Sequence, residues 1–150
     1  MSPTTIVDSI RREVPVLRND QPVGEAAEAV IAADVPALPV VNDKERFVGV
    51  FGEREFIHAV FPPYFDTLGS AGFVPRSLDP TLERGAMTER VGKHMTTDHV
   101  ETGPEPSDAE LAEIFLHHRV LIVPICDHGR VNAIVTRNDF FRAIALQLRA

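Results

Sequence analysis

Tryptophan is absent from these 150 residues, and tyrosine and cysteine occur once each. A single cysteine excludes an internal disulfide. Cys126 closes the apolar run IVPIC, which reads as a small core residue rather than a catalytic thiol. No uninterrupted apolar run approaches the roughly 18 residues of a membrane span, and the first residues lack the basic, apolar and small-residue order of a signal peptide. The expectation is a cytoplasmic protein with no membrane partner. Positive charge is also scarce, with 15 Lys and Arg against 22 Asp and Glu, a formal net charge of −7. A general nucleic-acid binder needs the opposite surplus to neutralise phosphates, so no nucleic-acid partner is expected. Gly-x-Ser-x-Gly, Walker and His-Glu-x-x-His motifs are missing, and no catalytic residue is assigned. Glu53 and Glu55 fall at a predicted helix start, where acids suit the dipole. Of the six histidines, His94 and His99 lie five apart. His117 and His118 are adjacent, and adjacent helical residues point about 100° apart, so no metal site is expected. His118 flanks a helix's apolar face, and His117 and Arg119 suit that helix's C-terminal end.

What is present is a core-forming composition, 44% hydrophobic and 25% charged, arranged as a repeat. At an offset of 85, Glu25 matches Glu110, Ala27 matches Ala112, Glu28 matches Glu113, Val35 matches Val120 and Pro39 matches Pro124. One loop residue then drops out. At an offset of 84, Val50, Phe51, Glu55 and Phe56 fall on Ile134, Val135, Asp139 and Phe140. Two copies of one unit are the simplest reading.

In the first copy, Ser2 and Pro3 mark the start of a short helix with Ile6, Val7 and Ile10 on one face. Residues 14–18 read as a strand, and residues 21–24 turn the chain into a helix of about ten residues carrying Ala26, Ala27, Val30 and Ile31. Residues 40–51 read as a hairpin around NDKE, and residues 53–61 as a helix stopped by Pro62 and Pro63. The second copy places Ser107 and Glu110 at capping-box spacing before Leu111, Ile114, Phe115 and His118. A hairpin turning at DHG follows, then a helix over residues 138–148 with Phe140, Phe141, Ile144 and Leu148 as an apolar stripe. Between the copies, residues 61–95 exceed an ordinary connection. They carry Phe61, Tyr64, Phe65 and Phe73, and Asp79 before Pro80 as a helix start.

Two strand–helix–strand–strand–helix units, with ALPVVN and IVPICD before the hairpins and TRND after one, resemble a tandem pair of CBS domains. The resemblance covers most of residues 12–60 and 91–147, and VGKHMTTDHV at 91–100 is similar to the segment that enters such a unit. It implies an α+β fold of two CBS-like β-α-β-β-α repeats related by a pseudo-twofold axis. The expected division is 1–61 for the N-terminal helix and first unit, 62–90 for an inserted connector, and 91–150 for the second unit.

The resemblance also implies a regulatory module, with two related clefts between the units that accept an adenosyl ligand such as AMP, ADP, ATP or S-adenosylmethionine. By it, Asp139 would take the ribose, and Thr136, Asn138 and the free N–H groups of the last helix would face phosphate, with Arg137 adding charge. Val14, Val16, Val35, Pro36 and Ala37 would form the adenine slot with Ile134 behind. Thr136 three places before Asp139 is equally a helix cap that needs no ligand. Gly52 and Glu55 occupy the equivalent places in the first copy and depart from the pattern, since glycine has no hydroxyl. No basic residue stands at Pro36 or Leu121. The alternative is a dimerisation or protein-interaction scaffold with degenerate sites, serving an unidentified regulated protein. A homodimer is expected from the aromatic set Phe61, Tyr64, Phe65 and Phe73 with Leu68, which could instead fold back over its own chain.

Overall fold

The computed structural model describes residues 5–61 and 82–149. Helix α1 (Ile6–Ile10) is followed by strand β1 (Leu17–Arg18), helix α2 (Val23–Ala33), strands β2 (Ala37–Val41) and β3 (Phe47–Gly52), and helix α3 (Glu53–Val60). A 3-10 turn (Arg84–Thr88) and helix α4 (Val91–His94) lead into helix α5 (Asp108–His117), strands β4 (Ile122–Asp127) and β5 (Arg130–Thr136), and helix α6 (Arg137–Arg149). The fold is α+β and repeats, as the sequence pattern implied.

The first sheet has the order β1-β2-β3, with β1 parallel to β2 and β2 antiparallel to β3. The second is the β4–β5 hairpin. Its entry strand is reduced to one parallel bridge, Thr102 to Ile125, the place that Leu17 opposite Val40 holds in the first unit. Pro104 and Pro106 follow at once, and proline has no N–H to extend a ladder. Pro15 likewise restricts the strand expected over 14–18 to Leu17–Arg18. Helix α1 starts at Ile6, not at Pro3: Thr5 caps it by accepting the Asp8 amide, while Ser2 and Pro3 lie outside the described residues. The expected helix start at Asp79 and Pro80, and Tyr64, Phe65, Leu68 and Phe73, also lie outside them. The stripe on α6 is split, with Phe140 buried but Phe141 and Leu148 exposed.

The cores cross between units. Val7 of α1 is fully buried with Leu111, Val123, Ile125, Val135 and Phe140 of the second unit. Val91 of α4 is fully buried with Leu17, Val23, Leu38, Val40 and Phe51 of the first. Asp108 of α5 secures this exchange by accepting from the amides of Ile6 (3.1 Å) and Val7 (3.0 Å), which begin α1. A carboxylate there satisfies otherwise unpaired N–H groups and suits the dipole.

The hairpin turns also meet. The Phe47 amide donates to the Gly129 carbonyl at 3.0 Å, Arg46 donates to the His128 carbonyl, and Arg130 lies 3.4 Å from Glu45. Gly129, at φ 81°, takes a left-handed turn conformation, and a Cβ there would lie 2.6 Å from the Arg46 guanidinium.

Candidate functional site

Each segment entering a unit bridges the final strand of the other. Arg12 exchanges two backbone hydrogen bonds with Ile134, both at 2.9 Å, and Thr96 does the same with Val50 at 2.8 and 2.9 Å. Both partners are 84 positions apart, so the two bridges are copies of one contact. They set each entry segment beside the acid that opens the opposite unit's last helix.

In the first copy that acid is Glu55. Its Oε1 accepts the Gly52 amide at 2.9 Å and its Oε2 accepts the Thr96 hydroxyl at 2.7 Å. Beside it lies a cavity of about 300 Å³, lined by Ala37, Val50, Arg54 and Glu55 of the first unit. The second unit contributes Thr96, Asp98, His99 and Val100 from its entry segment and His118 to Ile122 from the approach to β4. The volume is at the lower end of ligand pockets. The cavity has an apolar wall in Val50, Val100, Val120 and Ile122, a carboxylate in Glu55, and cations in Arg54 and Arg119. The Arg54 guanidinium donates to the Arg119 carbonyl at 3.3 Å, tying the two units together there. The His99 ring meets that of Phe47 at a tilt of 56°, with ring centroids 4.1 Å apart.

This cavity is the pseudo-twofold counterpart of the slot expected around Asp139. Val120, Leu121 and Ile122 stand 85 positions after Val35, Pro36 and Ala37, and Val50 stands 84 before Ile134. Gly52 stands where its own backbone runs close against the residues that open β2. A Cβ at that position would sit 2.2 Å from the Pro36 carbonyl oxygen and 2.4 Å from the Ala37 Cβ, so the hydroxyl that Thr136 carries has no room in the first copy.

Around Asp139 the arrangement differs. Thr136 is buried, and its hydroxyl accepts the Asp139 amide at 3.0 Å, which caps α6. Arg12 meets Asp139 with both prongs, Nε to Oδ2 at 2.7 Å and the second nitrogen to Oδ1 at 3.1 Å. The carboxyl expected to face a ribose is therefore already engaged. That hydrogen bond, with lesser contributions from Thr136 and Arg142, holds Asp139 below the usual carboxylate range against the opposing effect of burial. Val35 and Ala37 are buried in the first core, Val14 packs against it half-buried, and Ile134 is fully buried. Val16, Arg137 and Asn138 are exposed. Val35 and Pro36 also border a second, more apolar cavity of about 540 Å³ with Ala27, Val30, Ile31 and Phe56. Neither cavity is lined by Thr136 or Asp139.

Sequence reasoning passed over Arg54, Asp98, His99, Val100 and Val120. The offsets that paired Glu55 with Asp139 would have found most of them, had the absent hydroxyl at residue 52 not been weighed against the first copy. Among the described residues, no group of three or more His, Cys, Asp or Glu could hold a metal ion, and no helix is long and apolar enough to cross a membrane.

Residues 7–62 match the family model for the CBS domain. Those residues form a CBS domain. CBSX2 of Arabidopsis thaliana, solved in complex with AMP, is similar at 24% identity, covering 99% of this chain and 100% of that one, with a TM-score of 0.67. The CBS-domain containing protein ATU1752 of Agrobacterium tumefaciens is similar at 23% identity over 93% of this chain and 90% of that one, also with a TM-score of 0.67. Both likenesses span the two repeats and show the shared CBS fold. Among curated sequences, the uncharacterized protein MJ1225 of Methanocaldococcus jannaschii is 20% identical over 135 residues. That match takes in 90% of this chain but only 41% of the relative's length.

Proposed function

We propose that this CBS-domain protein is a non-catalytic regulatory module that binds an adenosyl ligand, with AMP, ADP, ATP and S-adenosylmethionine as the candidates, in the cleft beside Glu55. The observation that carries the reading is the cavity itself, because one unit supplies the acid and the other supplies most of the apolar wall. A carboxylate suits a ribose diol, the valine and isoleucine side chains suit a base, and Arg54, His118 and Arg119 suit a phosphate. The AMP complex of the similar CBSX2 supports the ligand class. The Glu55 cleft is preferred to its counterpart because Asp139 is paired with a guanidinium, whereas Glu55 accepts only the neutral Gly52 amide and Thr96 hydroxyl and lines the cavity.

A thermal-shift series with the four ligands tests it. A ligand at about 100 times its dissociation constant stabilises the fold by about 2.7 kcal/mol, which raises the Tm by several degrees for a chain of this size. Glu55→Gln should weaken that ligand about tenfold, as a neutral acceptor replaces a charged one. No shift with any of the four would favour the second reading, an interaction scaffold for a regulated protein. The observation on that side is that Asp139 is satisfied without a ligand.

Assembly as a homodimer belongs to the same proposal. Ile31 and Leu116 hold equivalent places on α2 and α5, as do Ile57 and Phe141 on α3 and α6, and all four are exposed. The helices thus present an apolar face that itself repeats about the pseudo-twofold axis. A second copy of this chain matches such a face, since an isologous interface needs a self-complementary patch.

A further inference from the structure

The cavity beside Glu55 and the region around Asp139 are built from residues 84 or 85 apart, yet they differ at the side chain that faces the acid. In the first, the short Thr96 donates one neutral hydrogen bond and leaves a cavity of about 300 Å³. In the second, the equivalent residue is Arg12, whose longer side chain reaches Asp139 and grips both of its oxygens. Its backbone is fixed by the bridge to Ile134, and the α1 helix just before it is held by the buried Val7 and by Asp108. Two hydrogen bonds hold the guanidinium on Asp139, and its charge neutralises the one a ligand would need.

We propose that Arg12 is a built-in occupant of the second cleft, standing where a ligand's ribose and its neighbouring groups would lie, so that the chain carries one open site and one masked site. This rests on the functional reading for the open cleft, but the masking is a separate claim about Arg12. Arg12 gives the module a fixed stoichiometry of one ligand per chain. Whatever withdraws α1 from the second unit would expose a second site for the same class of ligand.

The decisive variant is Arg12→Thr, which copies the residue found at position 96 and keeps a hydrogen-bond donor for Asp139. Calorimetric titrations with AMP, ATP and S-adenosylmethionine, each run separately, compare the wild type, Arg12→Thr and Arg12→Thr/Asp139→Ala, with circular dichroism confirming that each is folded. The expected result is one ligand per wild-type chain, two per Arg12→Thr chain, and one again in the double variant. One ligand in both the wild type and Arg12→Thr would overturn the masking while leaving the functional reading intact. Two in the wild type would overturn it as well. None in the wild type but one in Arg12→Thr, lost in the double variant, would uphold the masking and overturn the open-cleft reading. None in any protein would overturn both. If Arg12→Thr does not fold, Arg12→Gln is read by the same criteria.

Discussion

Val7 and Val91 stand 84 positions apart, and each is fully buried in the core of the opposite unit. The entry helices are thus exchanged within one chain, and each unit is completed by a segment that precedes the other's hairpin. Val91→Ala should lower stability by about 1 to 3 kcal/mol, as large-to-small changes in a packed core do. The loss should appear in hydrogen exchange first in β1–β3, not in β4–β5. Val7→Ala should show the reverse, and protection lost equally from both sheets in either variant would count against the exchange as a division of stability.

Gly52 is held against the backbone before β2. Gly52→Ala should cost about 2 to 3 kcal/mol in urea unfolding, at the upper end of overpacking, because the obstruction is a carbonyl oxygen rather than a movable side chain. Gly103→Ala is the control, since nothing lies within 4 Å of a Cβ placed there. It should change stability by less than about 0.5 kcal/mol.

The Arg12–Asp139 pair should appear in the acid limb of stability. Arg12 is the main reason that the folded Asp139 titrates below its ordinary value. A depressed folded pKa gives stabilisation that is complete above the unfolded value near about 3.9 and is lost as pH falls through the folded value. Urea midpoints between about pH 5 and pH 2 should therefore fall more steeply for the wild type than for Arg12→Thr or Asp139→Asn. Parallel curves would show that the pair contributes nothing measurable.

Burial, with smaller contributions from Glu101, pushes the Cys126 thiol up to about 12. The reactive thiolate is then scarce near neutrality. Iodoacetamide should modify Cys126 only after unfolding, and labelling of the native protein at a rate near that of free cysteine would contradict its place in the core.

For the helical face, Ile57→Asp and Phe141→Asp should each dissociate or weaken the homodimer in a light-scattering concentration series, because burying an unpaired carboxylate at an interface is costly. A mass of one chain for the wild type at tens of micromolar would remove the dimer from the proposal.

The hairpins and the Ser107 cap were legible because each is written in local spacing, and the repeat because matching residues keep a constant offset. Ser107 does accept the Glu110 amide, at 3.0 Å. The exchange of entry helices was not legible, since Ile6, Val7 and Ile10 mark an apolar face without saying which core receives it. Nor was the Arg12 contact, which joins residues 127 apart in sequence through side chains alone. The open cleft was half visible. The offset pairs Glu55 with Asp139, but only the backbone around Pro36 explains why residue 52 has no side chain.

The contact between the two hairpin turns changes what kind of motion a bound molecule could produce. With Phe47 bonded to Gly129 and Arg46 to His128, and with the entry segments crossing elsewhere, the two halves are fastened at separate places, like a frame with two joined sides. Fastenings at separate places oppose a hinge opening more than they oppose a small shear. His99 lines the cavity and its ring meets that of Phe47, so one residue of the fastening at Gly129 is also a neighbour of the cavity wall.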